Sequence, residues 1–391
     1  MVSPPPVATP PYVIEARDAG RARVGQIDRL TSLELTPVFN GVGGWTMNLP
    51  AGSAQEALFV KGGWISVYTP DGDDVFTGQV RGRKLARSDS EPFAGTRTFY
   101  GPSAEQVLAD RLAYQVPGQS ATTTPPTGGQ TGAEYDRRTG PGETVIKDYV
   151  NLNAGPGALV ARRTAGLVIE TDAGRGATVI GSARMNPLPD IIGPLAEAAG
   201  LGWRIRFNTD GNLEFQIYVP TDKSADARFG IDLGNLANYE YTEEAPKASV
   251  AIVGGSGEGT ARTFREITDP DAIADWSIRN EVFVDQSGAG STDEMDQAGA
   301  EQLVTNGPIS GLTIEAIDTP NLAFAKHYNL GDRVTAEDVT DVLRGVTIGW
   351  TATEGATTKS DVGTASMTGT SRMIRFLADV TKKVQALQAK Q

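Results

Sequence analysis

The 391-residue chain has no cysteine and a single histidine. Disulfides and thiolate metal sites are excluded, so stability has to come from packing and assembly. One imidazole, His327, cannot build the usual zinc site, and no histidine-containing triad can be assembled around anything else. Between Lys326 and Tyr328, on an expected strand edge, it reads as structural. No apolar run approaches the ~18 residues that a membrane span needs. The N-terminus opens Ser3-Pro4-Pro5-Pro6 in place of a basic, then apolar, leader, so a soluble chain without a signal peptide is expected. Positive charge is also short: net charge is -13 and the pI is near 4.7. That argues against a general nucleic-acid-binding surface, which needs clustered Lys and Arg. An acidic surface serves solubility, and it also suits a wall that DNA passes without sticking.

What the chain does have is glycine (46) and proline (23), together more than one residue in six against a usual ~12%. Its apolar residues fall in short alternating runs. The expectation is a mainly β protein with minor α content, divided into two to four compact units at ~150 residues per domain. Residues 1–11 form a Pro-rich arm. A first β unit spans 12–117, with strands at Leu33–Thr36, Gly44–Pro50 and Arg97–Tyr100. A helix follows from a capping box at Ser103 and Gln106, carrying Val107, Leu108 and Leu112 on one side. Residues 118–142, with Thr122-Thr123-Thr124-Pro125-Pro126, read as an exposed loop. A smaller α+β insert, 143–235, carries a helix over Asp190–Ala199 capped by Gly200. It also carries a hairpin of Trp203–Phe207 and Leu213–Ile217. The second β unit, 236–370, resumes strands at Tyr239–Val253, and Ser291 with Glu294 caps another helix. From Ser371 to Gln391, Met373, Leu377, Val380, Val384 and Leu387 recur at heptad spacing on a predicted short helix.

One strand phrase occurs twice. Gly63 to Gly82 reads GWISVYTPDGDDVFTGQVRG, and Gly331 to Trp350 reads GDRVTAEDVTDVLRGVTIGW. Each runs from Gly through an alternating strand and an acidic turn into Val75-Phe76-Thr77-Gly78 or Val342-Leu343-Arg344-Gly345. A repeated hairpin is the trace of duplicated domains.

Signs of chemistry are few. Gly254-Gly255-Ser256-Gly257-Glu258-Gly259-Thr260 suggests a phosphate cradle, but a Walker loop's Lys is Gly259 here and the dinucleotide spacing is missed. Asp71, Asp73 and Asp74 surround a turn without the ligand spacing of an EF-hand loop. Asp293, Glu294 and Asp296 suit a helix start. No catalytic, cofactor or metal residue is assigned, and no enzyme activity is expected.

Three segments resemble the tail-hub, or baseplate-hub, proteins of actinobacterial long-tailed siphophages. They are Gly43–Pro50 with Val75–Val80; Ala251–Asp285, including Arg262, Trp276 and Arg279–Asp285; and Asn329–Val334 with Gly345–Ile348. The resemblance implies two tube-type β-barrel domains flanking the insert, in a homotrimer that forms a pseudo-sixfold ring at the distal end of the tail. It implies partners as well: the distal tail protein, the C-terminus of the tape measure protein, other tail-tip or receptor-binding proteins, and DNA in transit. Met373, Leu377, Val380, Val384 and Leu387 are the expected trimer contact. The short C-terminal region leaves no expected receptor-reading or wall-degrading domain. Two other readings stay open: a tail-associated cell-wall hydrolase, and a glycan-binding adhesin whose stacking platforms would be Trp45, Trp64, Trp203, Trp276 and Trp350.

Overall fold

The computed structural model describes residues 7–88, 91–121 and 129–363. Strand outweighs helix, 43% against 18%, so the chain is mainly β with few helices.

Eight strands form the path that organises the molecule. In chain order they are β1 (Ser32–Thr36), β2 (Gly44–Pro50), β3 (Gly82–Ser88), β4 (Glu91–Pro102), β5 (Leu236–Glu244), β6 (Ile309–Ala316), β7 (Val339–Thr351) and β8 (Gly355–Gly363). Their spatial order is β5-β6-β8-β7-β1-β2-β4-β3, with every neighbour antiparallel. Both halves follow one rule: four strands in chain order are arranged first, second, fourth, third. The N-terminal half is β1-β2-β4-β3 and the C-terminal half is β5-β6-β8-β7. They join where β7 pairs β1, with Ile348 opposite Leu35 and Trp350 opposite Leu33.

The repeated phrase lies at equivalent places in this scheme. Trp64–Tyr68 and Asp74–Gln79 form an antiparallel hairpin that leads into β3, while Arg333–Ala336 pairs the first part of β7. Alternation explains which face each strand buries. In β2, Trp45, Met47 and Leu49 are buried while their neighbours are half-buried, so one face meets the core. Opposite it lies a second sheet, ordered Arg23–Ile27, Val13–Arg17, Trp64–Tyr68, Asp74–Gln79, which contributes Ile14, Ile65, Val67 and Phe76. Each such side chain contributes about 2 kcal/mol on full burial.

Among the described residues the two expected barrels are not closed: the path ends at β5 on one side and β3 on the other. Closing either half alone would leave four strands to enclose their own side chains, and even an eight-strand barrel has room only for side chains inside.

Helices pack outside the sheets. The insert holds α1 (Gly142–Asn153) and α2 (Leu188–Ala199) against the hairpin of Gly202–Phe207 and Leu213–Tyr218, around Ile146, Tyr149, Ile192, Trp203 and Phe215. Gly200 ends α2 at φ 69°, the left-handed position that glycine takes without penalty. Between β5 and β6 a small lobe places α3 (Thr292–Asn306) on a three-stranded sheet whose centre is Val250–Gly254. The Ser291 hydroxyl accepts from the Glu294 N–H at 3.2 Å, as a capping residue should.

Two local expectations are corrected. Ser103 caps no helix, because its hydroxyl accepts from the Gly43 N–H at 2.9 Å and its backbone bridges Gly78. The helix there is one turn, Gln106–Ala109; Val107 and Leu108 are buried, and Leu112 is exposed on a short strand. Within 118–142, Asp136–Pro141 is a strand paired with Thr178–Ala183, tied to α1 where the Tyr149 hydroxyl donates to the Asp136 carbonyl at 2.7 Å.

Candidate functional site

The residues that the sequence offers for chemistry do not converge. His327 sits in a turn rather than on a strand edge, and its Nδ1 accepts from the Ala323 N–H at 3.0 Å. That bond closes the turn between Phe324 and Tyr328. Asp71 pairs with Lys326 at 2.5 Å, Asp73 bonds Thr69, and Asp74 points inward to Arg206. Among the described residues no group of three or more His, Cys, Asp or Glu could hold a metal ion. In the Gly254–Thr260 loop, the carbonyls of Gly254 and Gly255 accept from Arg262 at 3.2 Å, so they hold an arginine in place. Trp45, Trp64, Trp203 and Trp350 are buried, and Trp276 is half-buried.

The residues behind the hub resemblance have structural work instead. Gly78 makes room for an indole: a Cβ there would lie 2.6 Å from the Trp45 ring, whose Nε1 donates to the Gln79 carbonyl at 3.2 Å. Asp332 is buried and accepts from the Thr221 N–H at 2.7 Å and the Asn329 N–H at 2.9 Å, tying the insert's exit to the β7 hairpin. Arg262 reaches Asp285 at 2.5 Å and Arg279 reaches Glu266 at 3.1 Å, which brace the lobe.

A charged joint links the insert to the sheets. Arg206, largely buried, places Nε 3.0 Å from Asp74 and Nη1 3.0 Å from Glu105. These border a cavity of about 30 Å³ with Trp203, Arg204 and Tyr218, room for roughly one water molecule. Burial pushes the Asp74 carboxyl up, against the pull of Arg206. The joint fixes three chain segments against one another, and its volume admits no substrate.

A cleft of about 350 Å³ lies between Phe39, Glu197, Thr221 and Arg333, and the pair of sheet edges is also open to a partner. β5 is exposed along most of its length and β3 from Arg83 to Arg87; among the described residues β5 pairs only β6 and β3 only β4, while Tyr241 of β5 holds an interaction of its own. Neither edge was foreseen in the sequence, although the same-sign runs Arg83-Lys84-Leu85-Ala86-Arg87 and Glu240 to Glu244 were there to find. The expected contact residues Met373, Leu377, Val380, Val384 and Leu387 lie outside the described residues.

Residues 13–379 match the family described as Siphovirus ReqiPepy6 Gp37-like protein. The chain belongs to that family. Comparison of this Gp37-like chain with curated proteins finds no match. Among solved structures it is similar to the 43 kDa tail protein of prophage MuSo2 from Shewanella oneidensis. The TM-score is 0.55 at 12% identity, covering 90% of this chain and 97% of that one. A tail protein from Neisseria meningitidis MC58 gives TM-score 0.53 at 13% identity, covering 90% and 96%. Prophage tail protein gp18 from Listeria monocytogenes EGD-e gives 0.50 at 10%, covering 95% and 99%. At these identities the likeness is one of fold. The chain is thus a siphovirus Gp37-like protein whose fold is like that of these three phage tail proteins, in line with the resemblance read from its sequence.

Proposed function

We propose that the chain is a non-enzymatic hub of the tail tip, a homotrimer whose three copies form a pseudo-sixfold ring. The observation that carries this reading is the repeated strand order. Each copy holds two four-strand units of identical topology, so three copies present six similar units to a sixfold tube. Within the chain the two units meet as β7 against β1. The equivalent meeting between copies sets β3 of one against β5 of the next, the two strands that end the path among the described residues. The seven antiparallel steps between them make that pairing antiparallel too.

Closure of the sheet is then a property of the ring. A head-to-tail contact closes into a ring when its rotation allows, and closure removes exposed edges. Three eight-strand paths at ~4.8 Å spacing give a wall roughly 37 Å across before strand tilt widens it. Barrels of 16 to 18 strands already leave an aqueous channel. Such a lumen would pass the tape measure C-terminus and then DNA, with the distal tail protein docked above and other tip proteins below. In this reading 12–117 and 236–370 are the two tube domains, 143–235 decorates them, and the heptad-spaced residues of 371–391, outside the described residues, make a threefold contact.

The adhesin reading loses support because four of its five tryptophans are core residues. The test is the native mass of the purified full chain by light scattering over a range of concentrations. Three chains per particle is the expected result; a monomer at every concentration would count against the ring.

A further inference from the structure

The two strands that end the sheet among the described residues carry opposite charge. β3 exposes Arg83, Lys84 and Arg87, and β5 exposes Glu240, Glu243 and Glu244. None of the six joins an ion pair among the described residues, although pairing is common elsewhere in the chain, as at Arg265 with Asp296. Charge on an edge strand is ordinarily a block against edge-to-edge association. Here that covers half of the pattern. Like charges oppose β3 against β3 and β5 against β5, whereas β3 against β5 is attractive. An arrangement that rejects two-fold self-pairing and favours head-to-tail contact is specificity by repulsion as well as attraction.

The match extends across both faces of the sheet. By register Arg83 lies on the core side with Phe99, and Lys84 on the other. Likewise Tyr239 and Glu243 lie on the core side with Ile314, and Glu240 on the other with Thr313. Each edge also offers a part-exposed apolar side chain on the core side, Leu85 at 40% and Tyr239 at 45% exposure. Docking would bury these two against each other while the charges pair around them.

We infer that β5 of one copy docks on β3 of the next through this charge match, and that the match selects the head-to-tail ring over two-fold dimers and makes its assembly salt-dependent. The inference rests on the ring reading above and adds its joint and its control. Salt shortens the screening length from ~8 Å at 0.15 M to ~3 Å at 1 M, which reaches exposed pairs of this kind.

The test uses the full chain in sedimentation velocity at low and high salt, with circular dichroism to confirm folding. Three variants are compared with wild type: Glu240→Lys/Glu243→Lys/Glu244→Lys, Arg83→Glu/Lys84→Glu/Arg87→Glu, and all six together. Either triple variant should raise the concentration needed for assembly about tenfold or more at low salt. The six-fold variant, with its edges exchanged in sign, should recover assembly, and high salt should weaken wild type. A trimeric wild type whose triple variants assemble equally well, without salt dependence, overturns this joint and leaves the ring standing. A wild type that is monomeric throughout overturns the ring, and the joint with it.

Discussion

The Arg175 guanidinium holds the Glu143 carboxylate by two hydrogen bonds, Nε to Oε2 at 2.8 Å and Nη2 to Oε1 at 2.9 Å. Glu143 is fully buried at the first turn of α1, where a carboxylate also suits the helix dipole. Lys147, one turn on, donates to Glu143 Oε1 at 2.6 Å, and the Arg175 N–H donates to Oε2 at 2.9 Å. The loop carrying Arg175 is thereby fastened to the helix, and with it the base of the insert.

Removing that carboxylate's charge should cost about 3 kcal/mol, because Glu143→Gln leaves the buried Lys147 ammonium short of a partner. The Arg175 hydrogen bonds, ahead of those from Lys147, hold the Glu143 carboxyl well below the usual carboxylate range. Its folded value is thus lower than its unfolded one. The stabilisation is complete above the ordinary value of ~4.3 and is lost as pH falls toward the folded value. Urea unfolding at pH 7, 4 and 3 should show the gap between wild type and Glu143→Gln narrowing only below about pH 4. A gap that is constant with pH would contradict the assignment.

At the joint between insert and sheets the sign reverses. Arg206→Met would leave Asp74 and Glu105 without the cation between them, at a cost of about 3 kcal/mol near pH 7. Burial already raises the Asp74 carboxyl, and losing Arg206 removes the stronger of the two pulls that oppose it, leaving only that of Arg204. A folded value above the unfolded one favours the native state at low pH, and that advantage is lost as pH rises through the folded value. The variant should therefore unfold more easily at pH 7 than at pH 5 relative to wild type, which parallel urea titrations would register.

The parts of the fold legible in the sequence are those whose signal is local. The hairpin of Trp203–Phe207 and Leu213–Ile217 announces itself by alternation around an Asn-Thr-Asp-Gly-Asn turn, and Ser291 with Glu294 marks a helix start that the geometry repeats. Ser103 with Gln106 carries the same marks and fails, since a hydroxyl can bond one partner well and Gly43, sixty residues away, takes it. Asp136–Pro141 was hidden for a similar reason: its partner strand begins at Thr178. The free edges are less visible still. Whether β3 is central or terminal depends on which strands pair across the whole chain, and no window of sequence contains that.

The tight contact between Gly78 and Trp45 gives a packing prediction. Gly78→Ala would place a methyl 2.6 Å from the indole, and the ring cannot withdraw while its Nε1 is held by the Gln79 carbonyl. Overpacking of this kind costs roughly 1–3 kcal/mol. Because the strand leads directly into β3, the expected result is a lowered thermal midpoint that a second change, Trp45→Leu, partly restores by opening space. Equal midpoints for wild type and Gly78→Ala would show that the strand shifts freely.

The heptad-spaced residues of the C-terminal segment lie outside the described residues, and in the proposed ring they would supply a contact independent of the sheet edges. Fewer than three heptads make a weak coiled coil alone, since short isolated helices are marginal in water. Their contribution should therefore be visible only against an assembly that the sheet edges have begun. Leu377→Asp with Val384→Asp should shift the trimer to higher concentration while leaving its salt dependence intact, because the edge charges are untouched. Adding Glu240→Lys/Glu243→Lys/Glu244→Lys should then abolish the trimer across the accessible range. Light scattering of the four chains, wild type, each variant and the combination, separates the two contacts. A trimer mass unaffected by Leu377→Asp and Val384→Asp would remove the segment from the interface and leave the β3–β5 joint to hold the ring alone.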